Sequence, residues 1–399
     1  MSFKKTALVI GMALAIGASG AQAQSYHTLY RFKGGPDGAK PVGPFVVDGK
    51  GNLYGETELG GANSAGTLFR LTQGVGQEKS ETIIHSFRGL LNDGCAPWGG
   101  LSVDRNGWLY GVTPTCGVFG QGTLFEYSHG EIALYSFNNL SGIYPGTRPV
   151  EDMYNELYGV TPYGGNTTAC SQGCGTIYTY AGSEITLHEF KGSDGALPFG
   201  ALVEDAAGSF YGTTMAGGSG GGGTIFKLAP TGFATLYAFD ASGGKRGDRL
   251  FAPNYGVVRD AAGNLYGAAN RTAPAHDKKC PDGTCGAIYM LSPAGKLRVL
   301  HAFTGGTDGA APNGPLAVDA AGSLYGTTAA GGGAGCDGGQ GCGVVFRWSP
   351  DGSMAILHAF SAHDGTPNGL TLAADGKLYG AAYDTSDPTS GGLIFRIDP

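Results

Sequence analysis

The stretch that decides the fold runs from Asp205 to Phe239. It reads Asp205-Ala206-Ala207-Gly208-Ser209-Phe210-Tyr211-Gly212-Thr213-Thr214, a glycine-rich run, Gly223-Thr224-Ile225-Phe226-Lys227-Leu228, then Leu236-Tyr237-Ala238-Phe239. Asp205 and Gly208 suit a tight turn, because Asp bonds the backbone ahead and Gly accepts positive φ. The phrases that follow are short, aromatic or β-branched, and bounded by turn residues, which is the signature of strands. The same phrases recur seven times along the chain. The Leu-Tyr-Gly phrase begins at Leu53, Leu109, Leu157, Phe210, Leu265, Leu324 and Leu378, with spacings of 56, 48, 53, 55, 59 and 54 residues. A Gly-Thr-Leu-Phe-like phrase ends at Phe69, Phe125, Tyr178, Phe226, Tyr289, Phe346 and Phe395. A Leu-Tyr-x-Phe-like phrase ends at Phe32, Phe87, Phe137, Phe190, Phe239, Phe303 and Phe360. An apolar alternation ending in Asp comes before Leu-Tyr-Gly, as in Phe45-Val46-Val47-Asp48 and Leu316-Ala317-Val318-Asp319.

Four strands per unit and seven units match the arithmetic of a β-propeller. A linear solenoid is the rival, and the order of phrases argues against it. The chain opens on a lone Leu-Tyr-x-Phe phrase (26–32) and ends on a lone Gly-Thr-Leu-Phe-like phrase near 393–397. Joining the ends completes the last unit and closes a ring, whereas a solenoid needs polar caps. The expected fold is therefore all-β: a single seven-bladed β-propeller of four-stranded blades, closed by the N-terminal strand. The expected blades span 41–87, 97–137, 149–190, 198–239, 253–303, 312–360, and 367–397 with 26–32. We letter the strands a (apolar alternation), b (Leu-Tyr-Gly), c (Gly-Thr-Leu-Phe) and d (Leu-Tyr-x-Phe), from the axis outward. The length variation falls in the b–c and d–a loops, which share one face of the disc. The a–b turns share the other.

Composition agrees. The 399 residues include 75 Gly and 20 Pro, a density that penalises helix throughout. No Gly-X-Y period exists, so collagen is excluded. With 41% hydrophobic residues, a disordered tail is excluded too. The first 23 residues combine Lys4 and Lys5, an apolar run and Ala21-Gln22-Ala23, the pattern of a signal peptide cleaved before Gln24. Without them the balance is 23 basic to 32 acidic residues, or −9. No basic patch points to nucleic acid, and no later apolar run is long enough to span a membrane. The expected state is an exported monomer, extracellular or periplasmic.

Eight cysteines in an exported chain favour disulfides, although eight allow 105 pairings. Three pairs lie close together within b–c loops: Cys170 with Cys174, Cys280 with Cys285, and Cys336 with Cys342. Cys116 is also in a b–c loop, and Cys95 sits in the d–a loop feeding the same blade. The expected set is therefore 95–116, 170–174, 280–285 and 336–342. No Cys-x-x-Cys spacing supports zinc.

At this point the residues resemble a family. Asp-Gly-Ala at 194–196 and 308–310, then Asp205–Thr214 and Asp319–Thr328, then Gly223–Leu228, are similar to the bacterial GloVer tandem repeat of choice-of-anchor proteins. The resemblance covers about 26–397 and implies an exported bacterial propeller without an assigned biochemical function. Many members carry a C-terminal anchoring segment. Ile397-Asp398-Pro399 shows none, which points to secretion or the periplasm.

Chemistry is harder to read. His85, His188, His301 and His358 share a strand-d position with Tyr30, Tyr135 and Tyr237, so they read as packing residues with a polar tip. Asp-Gly pairs recur in the d–a loops at Asp37, Asp93, Asp194, Asp308 and Asp364, and read as turns, with calcium as the sharper alternative. No cofactor is expected. No Gly-x-Ser-x-Gly, His-Glu-x-x-His or phosphate loop exists. Arg148, Glu151 and Arg259 are thin hints of catalysis.

Function is sought where units depart from consensus. Trp98 replaces a small residue at the head of a strand a, and Arg148 replaces one before Pro149. Arg249 enters blade 5. Asn254, Tyr255, Asn313 and Asn368 fall at matching places near the central mouth. Together these outline a shallow polar pocket for a glycan or peptide. The expected function is an extracellular binding module for a glycan, peptide or envelope partner. A propeller hydrolase or lyase acting on a polysaccharide is the alternative, and a structural surface protein is the third reading.

Overall fold

The computed structural model describes residues 24–399, apart from 74–78, 91–92, 129–130, 242–249, 273–279, 281–283, 334, 337–338, 386 and 388–390. The leader read at 1–23 and Arg249 therefore lie outside the described residues. Seven antiparallel four-stranded blades follow one another around an axis, the first strand of blade 6 being split into Ala310–Pro312 and Ala317–Val318. Blade 4 is representative: a is Val203–Glu204, b Phe210–Thr214, c Gly221–Ala229 and d Gly232–Asp240. In blade 7, Thr366–Leu372, Leu378–Tyr383 and Gly392–Asp398 are joined by the N-terminal strand Ser25–Phe32. That strand pairs from Ser25 opposite Asp398 to Phe32 opposite Gly392, so the ring closes on hydrogen bonds. Gly35–Asp37 forms a 3-10 turn.

Strand a is shorter than the sequence phrase, with two residues in blades 2, 3, 4 and 6. The residues ahead of it leave their own ladder and bond the neighbouring blade at the axis. Leu101 N–H donates to Pro44 O at 3.2 Å, and Arg148 N–H donates to Gly99 O at 3.0 Å. Two segments read as loops also pair into ribbons on the d–a/b–c face. Gly94–Cys95 lies against Thr115–Cys116, and Leu250–Phe251 against Arg271–Thr272.

The blades adhere through one repeated contact. The strand-d Phe of each blade packs against the strand-c aromatic of the next at every seam. The pairs are Phe32–Phe69, Phe87–Phe125, Phe137–Tyr178, Phe190–Phe226, Phe239–Tyr289, Phe303–Phe346 and Phe360–Phe395, with centroids 5.0–5.4 Å apart. These tilted, edge-on arrangements suit the aromatic quadrupole and add about 0.5–1.5 kcal/mol per pair beyond burial. The same strand-c ring explains the glycine of Leu-Tyr-Gly. Gly212 stands opposite Phe226 in register, and a Cβ there would sit 2.5 Å from Phe226 Cζ. The other six blades repeat this at 2.2–2.6 Å. The requirement is space beneath a ring, since none of these seven glycines has a positive φ.

Polar groups are satisfied just as repetitively. Buried threonines of strands b and c share a hydrogen bond of 2.8 Å in four blades, as in Thr214 with Thr224. The a–b turn Asp accepts backbone N–H groups ahead of it and the hydroxyl of the strand-b Tyr. Asp205 takes Ala207 N, Ser209 N and Tyr211 OH at 2.9, 3.0 and 2.8 Å. The strand-d His and the Asp-Gly turn, read separately from sequence, form one clip. His85 meets Asp93 at 3.2 Å, while His188 meets Asp194 and His301 meets Asp308 at 3.0 Å. Tyr30 donates to Asp37 at 2.7 Å in the same way. His358 departs from the pattern and stacks on Tyr26 at 3.7 Å, across the closing strand.

All four disulfides form as Cys95–Cys116, Cys170–Cys174, Cys280–Cys285 and Cys336–Cys342, and no cysteine is free. On the chain-entropy account the short loops contribute about 2 kcal/mol each and the longer one about 3. Their presence fits an oxidising compartment. Among the described residues no helix is long and apolar enough to cross a membrane.

Two substitutions test the seam. Phe190→Ala, at a fully buried site, is expected to cost about 3–5 kcal/mol in urea unfolding, whereas Leu187→Ala, 40% exposed, costs under about 1. Gly212→Ala destabilises by forcing Phe226 aside, and Phe226→Leu in the same chain relieves part of that loss. Additive losses in the double variant would show that the ring does not dictate the glycine.

Candidate functional site at the axis

A Pro-x-Gly phrase leads into strand a in most blades, and the residue after the proline lies next to the axis. Around the ring that position holds Val42, Trp98, Gly146, Phe199, Asn254, Asn313 and Asn368. All seven line a single cavity of about 470 Å³ on the face of the d–a and b–c loops. The cavity brings together Trp98, Arg148, Asn254, Tyr255, Asn313 and Asn368. Two sequence arguments are corrected here. Trp98 does not replace a generally small residue, because this position also holds Val42, Phe199 and three asparagines. Arg259 and Glu151 do not join Arg148. Arg259 lies with Asp260 and Asp319 at a second cavity formed by a–b turns, on the opposite face. Glu151 ends strand a of blade 3, just before the a–b turn residue Asp152.

The walls differ in character. Blades 2 to 4 present an aromatic arc: Trp98 meets Tyr144 at 5.7 Å, Tyr144 meets Tyr163 at 6.3 Å, and Tyr163 meets Phe199 at 6.2 Å. Blades 5 to 7 present amides and phenols. Tyr255 OH donates to Asn313 Oδ1 at 3.1 Å, and Asn313 Nδ2 donates to Pro367 O at 2.9 Å. Asn313 is thus a bracket between blades whose amide is already engaged. Asn254 Oδ1, Trp98 Nε1 and Thr147 Oγ1 are buried at the wall without a protein partner.

Charge is sparse at the axis. Lys40 and Glu58 form an ion pair of 2.5 Å, and Lys40 also lies 5.4 Å from the centroid of the Tyr383 ring. Burial pushes the Tyr383 phenol up to about 12, with Glu58 adding to the rise. Arg148 is partly buried and lines the cavity, and desolvation lowers its pKa. Sequence reasoning missed Lys40, Glu58, Tyr163, Phe199, Met215 and Tyr383. Val42 and Phe199 were legible by aligning Pro-x-Gly across all seven units. Glu58, Met215 and Tyr383 share one repeat position, five residues after the start of Leu-Tyr-Gly, and were legible in the same way, whereas Lys40 and Tyr163 fall outside the recurring phrases. Among the described residues no cluster of three or more His, Cys, Asp or Glu gathers to hold a metal; Asp37, Asp93, Asp194 and Asp308 are engaged in the clips, and Asp364 accepts from Arg31 and Ser361.

A model of the Gloeobacter/Verrucomicrobia repeat matches residues 19–171, 79–271 and 245–399. The chain belongs to this repeat family. No curated protein matches it. Among solved structures it is similar to the extracellular domain of a protein described as a hybrid two component system from B. thetaiotaomicron. That match has 14% identity and TM-score 0.55, and covers 93% of this chain and 40% of that one. A second extracellular domain from the same organism, of a one component system, matches at 12% identity and TM-score 0.55 over 93% and 40%. The WD40 β-propeller domain of Doa1 matches at 11% identity and TM-score 0.55, over 94% of this chain and 97% of that one. The chain spans about 40% of the length of the first two. At these identities the likeness shows the propeller fold.

Beside the cavity wall this repeat protein holds one carboxyl that the sequence reading overlooked. Glu56 follows Leu53-Tyr54-Gly55, where other blades carry Val112, Val160, Thr213, Ala268, Thr327 and Ala381. It is fully buried, accepts Gly100 N–H at 3.0 Å with one oxygen, and leaves the other without a partner. Burial pushes its carboxyl up to about 8 from 4.5, against a smaller opposing effect of the Gly100 bond. The folded state therefore binds the extra proton between those values. Its stability contribution is complete below about 4.5 and is lost as pH rises towards about 8. Glu56→Gln is expected to melt progressively higher than the parent across that window and to keep a constant advantage above it. A difference in Tm that does not change with pH would show that Glu56 ionises normally.

Proposed function

We propose that this repeat protein is an extracellular binding module whose axial cavity takes a small saccharide. One observation carries the reading: the cavity sets aromatic faces on one arc against amides on the other, without an acid–base pair free to act. Glu58 is the one carboxylate among its lining residues, and Lys40 neutralises it at 2.5 Å. Hydrolysis of a glycosidic bond needs two positioned carboxyl groups, and general acid–base work needs a group free to exchange its proton. Binding needs neither. Sugar C–H faces pack on Trp98 and Phe199, and hydroxyls pair with the open amides of Asn254 and Asn368. About 470 Å³ accommodates one or two sugar rings. The four disulfides, with the leader pattern read at 1–23, support an extracellular or periplasmic address, where free saccharides and envelope glycans are met.

Thermal unfolding with a panel of short oligosaccharides tests this, since a ligand at 100 times its Kd adds about 2.7 kcal/mol. The expected result is a rise in Tm with at least one saccharide. Asn368→Ala, which removes an amide with no side-chain partner, abolishes that rise and leaves the ligand-free Tm unchanged. No rise with any saccharide, or a rise indifferent to Asn368→Ala, would overturn the proposal.

A further inference from the structure

We propose that the axial cavity selects a saccharide bearing a carboxylate, a uronic acid unit, and that the Arg148 guanidinium holds that carboxylate. The proposal rests on the saccharide reading and names its ligand class. Arg148 lines the cavity wall, yet its side chain makes no hydrogen bond or ion pair with any described residue. The other cation of the wall is unlike it. Lys40 is held by Glu58 and by the ring of Tyr383. A guanidinium drawn partly out of water without a counter-charge carries a desolvation cost that an incoming anion offsets. Its root is fixed, because Arg148 N–H is bonded to Gly99 O across the seam of blades 2 and 3. Pro149 follows directly and restricts the Arg148 backbone to extended conformations.

The anion's class follows from what surrounds the guanidinium. Trp98, Tyr163 and Phe199 line the same cavity as Arg148, so the bound group carries an apolar face beside its charge. Across the cavity stand the open amides of Asn254 and Asn368. A carboxylate, a flat C–H face and several hydroxyls on one ring make a uronic acid. A planar carboxylate also matches the two-pronged guanidinium. A peptide adding as a strand needs free backbone groups, and at the axis Pro44 O and Gly99 O are already taken by the neighbouring blades.

Calorimetric titration of the full chain decides the matter. The probes are di- and trisaccharides of galacturonic and glucuronic acid, the matching neutral galactose and glucose oligomers, and the peptide Gly-Gly-Asp. The parent protein is expected to bind one acidic saccharide at least tenfold more tightly than its neutral counterpart. Arg148→Gln removes that preference, so that acidic and neutral saccharides bind within about twofold of one another. Arg148→Lys, which keeps the charge and loses the fork, retains part of it and guards against a folding artefact. Equal binding of acidic and neutral sugars, or acidic binding untouched by Arg148→Gln, overturns this inference and leaves the saccharide module standing. Binding of the peptide alone overturns the ligand class. Binding of none of the probes overturns both readings.

Discussion

Phe190 lies against Phe226 at 5.3 Å, and the same contact recurs at each of seven seams. A four-stranded blade has two apolar faces and cannot stand alone in water. Each strand-d Phe covers one face of its own blade by reaching the ring of the next. That ring in turn leaves no room for a side chain on strand b, so Leu-Tyr-Gly follows from Gly-Thr-Leu-Phe. Three sequence phrases that look independent are thus one packing unit seen from three strands. Ring closure is the same unit once more. Phe32, brought by the N-terminal strand, meets Phe69 at 5.1 Å, and Phe360 meets Phe395 at 5.2 Å.

This unit frees the axis from structural duty. Cohesion is supplied at the seams, and the axial backbone is tied by bonds such as Leu101 N–H to Pro44 O. The residue after the strand-a proline carries no repeated contact, and its identity drifts from Val42 to Trp98 to Gly146 to Asn254. The tyrosine of Leu-Tyr-Gly does not drift, because its hydroxyl is bound to the turn Asp in four blades. Sevenfold symmetry is kept where packing needs it and broken where the cavity opens. An apolar arc opposite an amide arc is the result.

The fold was legible because its causes are local and repeated. Gly212, Phe226 and Phe190 each sit in a phrase of three or four residues, and seven copies leave little ambiguity in period or order. The disulfides were legible for a related reason, since position in a b–c loop fixes the face and the blade. The axial site was legible only in part. Trp98, Arg148, Asn254 and Asn368 stand out because they interrupt a repeat. Tyr163, Met215 and Tyr383 lie at or just beyond the end of strand b, outside the recurring phrases, and their convergence is a property of the closed ring. Glu56 is a different failure. A single carboxyl in a seven-copy column is a visible signal, but only burial turns it from surface drift into a protonated group.

The balance of charge bears on how such a cavity works. The chain carries a net charge of −7, so at long range it repels an anion. At physiological ionic strength that field is screened beyond about 8 Å, whereas contact with a partly desolvated guanidinium is screened far less. Local attraction therefore outweighs global repulsion, but only for a ligand already at the mouth. Such a site gains affinity through slow release more than through fast capture. At the cavity itself the other cation of the lining, Lys40, is held by Glu58, so the attraction is centred on Arg148. An acidic protein with one open arginine at its axis is in this sense better suited to selecting a small acid than a basic protein would be.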